Sequence, residues 1–144
     1  MVVFTSPVTK EDLDNLEGLQ FCPMTFQENI PKALELRITI VGEQIFTAAI
    51  NSQQLDGAIY DWRKEGRALH QQWQPYDLPK NIEKQLLELV KYFGLNYGAI
   101  DMIVTPDERY IFLEINPVGE FFWLELYPPY FPISQAIAEI LVNS

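Results

Sequence analysis

The segment from Ala99 to Asn116 constrains this chain more than any other. Two runs rich in β-forming residues flank the turn sequence Pro106-Asp107-Glu108-Arg109, which suits a type I turn inside a β-hairpin. A symmetric four-residue loop pairs Thr105 with Tyr110 and Ala99 with Asn116. Ile100 then meets Ile115, Met102 meets Leu113, and Val104 meets Ile111, an entirely apolar face that must turn to the core. On the opposite face the same register sets Asp101 against Glu114, with Asn116 one step further along and Ile103 and Phe112 making the surface partly apolar. Like charges facing each other across a ladder are destabilising, so a cation is expected between them. The donors are hard oxygens with no His or Cys nearby, which suits magnesium or manganese better than zinc. The plainer alternative is an ordinary hairpin whose two acids are solvated or salt-bridged.

A second hairpin precedes it. Leu34 to Val41 and Gln44 to Asn51 are separated by Gly42-Glu43, a Gly-Xaa pair that fits a two-residue type II′ turn. That turn places Leu36, Ile38 and Ile40 opposite Ala49, Thr47 and Ile45 on the core side, and Arg37 opposite Ala48 on the other. Residues 2 to 5 read as a short strand. Thr9 caps a short helix carrying Leu13 and Leu16 that Gly18 can end. Asn51 to Leu78 reads as loop with one edge strand around Ala68 to Trp73. Asp77 before Pro79 opens the clearest helix, with Ile82, Leu86, Leu89, Val90 and Phe93 on one stripe and Gly94 at its end. Pro132 starts a last helix bearing Ile133, Ile137, Ile140 and Leu141.

These elements predict an α+β chain, an antiparallel sheet with packed helices, forming a single domain over residues 1 to 144. Twenty acidic against ten basic residues leave a formal charge of -10, which opposes nucleic acid and anionic membrane surfaces as partners. One cysteine, Cys22, permits no internal disulfide, and no secretory signal or membrane-length apolar run is present, so a cytoplasmic location is expected. His70, the one histidine, lacks a Ser or Cys partner and is expected to be structural, as is Cys22.

Asp101, followed by Leu113-Glu114-Ile115-Asn116-Pro117-Val118-Gly119, resembles the metal-binding end of the ATP-grasp superfamily of carboxylate ligases. Phe26-Gln27-Glu28-Asn29-Ile30 resembles the segment linking its two ATP-grasping subdomains, and Glu35-Leu36-Arg37 followed by Gly42 resembles its next hairpin. The wording of residues 114 to 125 is similar in particular to the microviridin-type ligases that crosslink ribosomal precursor peptides, relatives of glutathione synthetase. The resemblance runs from about Phe21 to the end and implies the C-terminal half of an ATP-grasp domain.

The resemblance implies that Asp101 and Glu114 bind one magnesium and Glu114 and Asn116 a second. It implies that backbone groups from Gln27 to Ile30, Glu28 among them, meet adenine and that Glu35 meets the ribose hydroxyls. Arg37 would meet the terminal phosphate or an acyl-phosphate intermediate, the role of an electrostatic catalyst in phosphoryl transfer. The implied partners are ATP and a peptide or small carboxylate substrate. Bland readings stand beside these: Glu35 as a strand-edge residue, and Arg37 paired with a surface acid.

The first subdomain of such ligases supplies phosphate-contacting lysines and a glycine-rich loop. Here seven glycines are scattered, and Lys32 is not placed to replace those lysines, so the expectation is a ligase fragment with little activity alone. Arg63, in Asp61-Trp62-Arg63, is a weaker candidate for approaching substrate or phosphate. The competing reading is a stand-alone, non-catalytic module whose aromatic tail, Phe121 to Phe131, docks a partner or a second copy as a homodimer. That tail serves equally well as core lining.

Overall fold

The computed structural model describes residues 4 to 143 apart from Pro23 and Leu55, and only the backbone of Arg67 and Ala68. The strand expected over residues 2 to 5 lies partly outside the described residues, and Phe4 and Thr5 are irregular. Thr9 caps α1 (Lys10–Asp14) in a reciprocal box: its hydroxyl accepts the Asp12 N–H, and the Asp12 carboxylate accepts the Thr9 N–H. This helix ends at Asn15, before Gly18, because a one-turn helix with no buried residue has nothing to extend it.

β1 (Leu34–Val41) and β2 (Gln44–Ile50) pair in the expected register, Arg37 opposite Ala48. Gly42 turns the corner at φ +60°, a conformation that favours glycine. The following stretch holds three 3-10 turns, Ser52–Gln54, Asp56–Ala58 and Trp62–Glu65, then α2 (Gly66–Leu69). The edge strand is not at Ala68 to Trp73. Trp73 turns inward, only 1% exposed, and pairing is delayed to β3 (Gln74–Pro75). Burial of an indole outweighs two ladder bonds.

Pro79 precedes α3 (Lys80–Tyr92), and Gly94 at φ +66° follows its end. Next come β4 (Tyr97–Val104), β5 (Tyr110–Asn116), α4 (Phe122–Leu126) and α5 (Ile133–Asn143). The sheet order is β3-β2-β1-β4-β5, antiparallel throughout, so α3 carries the chain across to place β4 beside β1. This is the α+β architecture expected.

Strand alternation divides the core in two. On one face Leu36, Ile38, Ile40, Ile100, Met102 and Val104 pack against Leu86 and Val90 of α3. On the other, Val41, Ala48 and Ile50 lie under Trp73, Leu124 and Ile133. Each fully buried Leu or Ile contributes about 1.5–3 kcal/mol. Phe121, Trp123 and Phe131 of the aromatic tail join this second core, whereas Phe122, Leu126 and Tyr130 are exposed.

The β4–β5 hairpin departs from the expected register in two places that cancel. Its loop is one residue shorter: Glu108 adopts φ +62°, and the Thr105 N–H donates to the Arg109 carbonyl at 2.9 Å, closing a type I turn with a left-handed residue. Val104 therefore pairs with Tyr110, Ile103 with Ile111, and Met102 with Phe112. An irregularity at Asp101/Met102 then absorbs Leu113 as an extra residue. The expected pairs Met102–Leu113 and Val104–Ile111 are absent, and Ile111 replaces Phe112 beside Ile103 on the second face. Beyond the bulge, Asp101 is opposite Glu114, Ile100 opposite Ile115 and Ala99 opposite Asn116, as expected.

Candidate functional site

One row across the sheet carries the charges. Arg37 on β1 is the register partner of Asp101 on β4, which is the partner of Glu114 on β5. All three project to the face away from α3, because their neighbours Leu36, Ile100 and Ile115 are claimed by the α3 core. The adjacent row on one side holds Ala99 and Asn116, and on the other Glu35, Ile103 and Ile111.

Arg37 is well held. Its Nη1 donates to both Asp101 oxygens, at 3.0 and 3.1 Å, and its Nη2 to the Glu120 carbonyl at 2.9 Å. The Arg37 side chain is 14% exposed and Asp101 33%, so this pair is shielded more than a surface ion pair. Arg37 Nε is buried without a partner among the described residues. Glu114 makes no ion pair among them and is exposed. Asn116 Oδ1 accepts the Val118 N–H at 3.0 Å and retains a second lone pair.

Three contacts here were not read from the sequence. Tyr97 donates its hydroxyl to the Gly119 carbonyl at 2.5 Å; burial raises its pKa, against the opposing pull of the Arg37 charge, so the phenol stays a donor. A Cβ on Gly119 would lie 2.5 Å from Ala99 Cβ and 3.0 Å from Arg37 Nη2. Only glycine permits that approach of loop to sheet. Lys32 Nζ donates to Glu35 at 2.8 Å, both side chains mostly buried, and to the Tyr60 carbonyl at 3.4 Å. Gly119 and Lys32 were visible in the sequence, but their contacts depend on tertiary structure.

The structure thus brings Arg37, Asp101, Glu114 and Asn116 together, with Glu35 in the neighbouring row. Gln27, Glu28 and Ile30 lie apart from these rows in an irregular segment, the first two exposed and Ile30 half-buried, leading to β1. His70 stacks on Trp123 at 6.1 Å between ring centres, and Cys22 is an exposed free thiol. Among the described residues, no group of three His, Cys, Asp or Glu could hold a metal ion, and no helix is long and apolar enough to cross a membrane. The oxygen cluster found combines two carboxylates with an amide, a donor set suited to a hard cation with open positions.

Neither the family models nor the curated proteins contain a match to this chain. Solved structures do. The macrocyclase MdnC from Microcystis aeruginosa MRC, bound with its precursor peptide MdnA, is 94% identical over 100% of this chain, with a TM-score of 0.86. In sequence and fold this chain matches part of an ATP-grasp ligase. A Chryseobacterium gregarium RiPP-associated ATP-grasp ligase, in complex with ADP and leader and core peptides, is 47% identical over 99% of the chain, with a TM-score of 0.93. The macrocyclase MdnB from Microcystis aeruginosa MRC is 37% identical over 96%, with a TM-score of 0.67. This chain spans 44%, 43% and 48% of those three proteins respectively. The ATP-grasp ligase PsnB, 20% identical with a TM-score of 0.65, shares the fold. The five-stranded antiparallel sheet and its helices share the α+β fold of the matching part of that ligase.

Proposed function

We propose that this chain, as a single domain, supplies the metal- and nucleotide-holding part of a ligase that activates a carboxylate as an acyl phosphate. An amine or hydroxyl then displaces phosphate to give an amide or ester. The observation that carries the reading is the charged row itself: two carboxylates face each other across β4 and β5, and only Asp101 is paired by an arginine. That leaves a negative site of oxygen donors, which fits magnesium, with manganese as a substitute. Asp101, Glu114 and Asn116 would hold it, and a bound ion supplies neutralisation of the phosphoryl oxygens.

The chain's own groups do the rest. Arg37, its stem packed and its fork aimed along the charged row, is the arm for the transferring phosphoryl oxygens or the acyl phosphate. Glu35 Oε1 is bonded to Lys32, leaving Oε2 to accept from ribose hydroxyls. Main-chain groups from Gln27 to Ile30 meet the adenine edge. The ADP and precursor peptides seen with the neighbouring ligases support ATP and a peptide carboxylate as ligands here. Lys32, committed to Glu35, does not stand in for phosphate-binding lysines, so the chain alone turns over little.

Calorimetry with magnesium and millimolar ATP tests this. Binding by wild type that is lost in Asp101→Asn is expected; equal behaviour of the two proteins, or no binding by either, removes the site.

A further inference from the structure

Three side chains of β4 turn in succession to the charged face, and all three meet Arg37 or the loop that holds it. Tyr97, Ala99 and Asp101 alternate with Gly98 and Ile100, so they share one face. Asp101 accepts Arg37 Nη1. Ala99 lies directly beneath Gly119, where a Cβ would collide with it and also crowd Arg37 Nη2. Tyr97 donates its hydroxyl to the Gly119 carbonyl.

Two consecutive loop carbonyls are therefore divided between two donors: Gly119 takes Tyr97 at 2.5 Å, and Glu120 takes Arg37 Nη2 at 2.9 Å. Fixing the first carbonyl fixes a rigid peptide plane, so only the φ and ψ of Glu120 separate it from the second. The next residue is held as well. Phe121 packs its ring on Tyr97 at 6.0 Å between centres.

This matters because the Arg37 fork has one anchor on the sheet and one on the loop. Asp101 at Nη1 and the Glu120 carbonyl at Nη2 together set the plane of the guanidinium as well as its position. Glu120 and Val118 are exposed, so the loop anchor is only as firm as the bonds that hold it. Two of these lead back to Asn116, whose Oδ1 accepts the Val118 N–H and whose carbonyl accepts the Gly119 N–H at 3.3 Å. Asn116 and Arg37 both have ligand roles in the reading above, and Tyr97 has none.

We infer that Tyr97 is a positioning residue for Arg37: its hydroxyl fixes the Gly119–Glu120 peptide, which presents the carbonyl that aims the guanidinium at a phosphoryl oxygen. The inference rests on Arg37 being the phosphoryl arm and adds a residue that touches neither nucleotide nor metal.

The test uses the 144-residue chain, with magnesium tripolyphosphate as the calorimetric probe and proton–nitrogen spectra of the arginine guanidinium groups without ligand. Tyr97→Phe keeps the ring against Phe121 and removes only the hydroxyl. It should weaken magnesium tripolyphosphate about three- to ten-fold, the equivalent of one hydrogen bond. In an Arg37→Gln background the same change should cost nothing further. The Arg37 signals should shift and broaden in Tyr97→Phe. Those of Arg63, whose Nε and Nη2 are bonded to the buried Asp61 carboxylate at 2.8 and 2.6 Å, should stay fixed. Val90→Ala opens a cavity in the α3 core on the opposite face; it controls for lost stability and should leave both readouts unchanged.

Wild-type affinity in Tyr97→Phe, unmoved Arg37 signals, multiplying losses in the double variant, or an equal loss in Val90→Ala each overturns the positioning role. If wild type binds the probe and Tyr97→Phe binds it equally well, the reading of Arg37 stands and this inference alone falls. If wild type binds no magnesium tripolyphosphate, Arg37 is not a phosphoryl arm and both fall.

Discussion

Replacing Gly119 with alanine should damage the site through a single steric contact. The new Cβ would meet Ala99 Cβ at 2.5 Å, whereas carbon atoms pack favourably at about 3.5–4.0 Å. Ala99 is fully buried in β4, clamped between β1 and β5, so the loop must yield by about 1–1.5 Å. That displacement pulls the Gly119 carbonyl from Tyr97 and the Glu120 carbonyl from Arg37. A neutral hydrogen bond contributes about 1 kcal/mol and a charged one about 1.5–3 kcal/mol. Water reaches exposed Glu120 and recovers part of this, so the net loss should be about 2–3 kcal/mol, or about 4–10 °C in melting temperature for a chain of this size. Urea denaturation measures it directly. Ala99→Gly removes the opposing Cβ, and although it costs about 1 kcal/mol in a strand, it should rescue Gly119→Ala with a coupling energy of about 1.5 kcal/mol or more. Stability of Gly119→Ala within about 0.5 kcal/mol of wild type, or simple additivity in the double variant, would refute the reasoning.

Glu114→Gln relieves the like-charge pair and should raise metal-free stability by about 0.2–1 kcal/mol while lowering magnesium affinity at least ten-fold, read by thermal melts with and without the ion. Tyr76 and Tyr110 share a hydroxyl contact at 2.5 Å; burial first, then that bond, pushes Tyr76 up to about 12. Its contribution to stability is therefore complete below the ordinary tyrosine pKa of about 10 and is lost as pH rises through the folded value. Tyr110→Phe should bring the late phenolate transition at 295 nm back toward 10; an unchanged titration would separate Tyr76 from its partner.

Local pattern carried much of this protein. Alternation in residues 34 to 50 specified one hairpin register completely, because Gly42 sets the turn and an apolar face allows no one-residue slip. In the second hairpin the acids were legible for a different reason. Ile100 and Ile115 both face the core, which puts Asp101 and Glu114 together on the other face, and their pairing matches the expected one because the shorter loop and the bulge cancel. The shortened loop and the Leu113 bulge offset each other and left no mark in the apolar pattern, so the pairs between them were misread. Strand order was beyond sequence reach: nothing local says that β4 enters beside β1, yet only this adjacency gives Asp101 its Arg37. The same holds for the Gly119 approach and for Lys32 reaching the Tyr60 carbonyl, contacts between segments far apart in the chain. Periodicity sets which face a side chain takes, whereas packing of the two cores decides which other faces it meets.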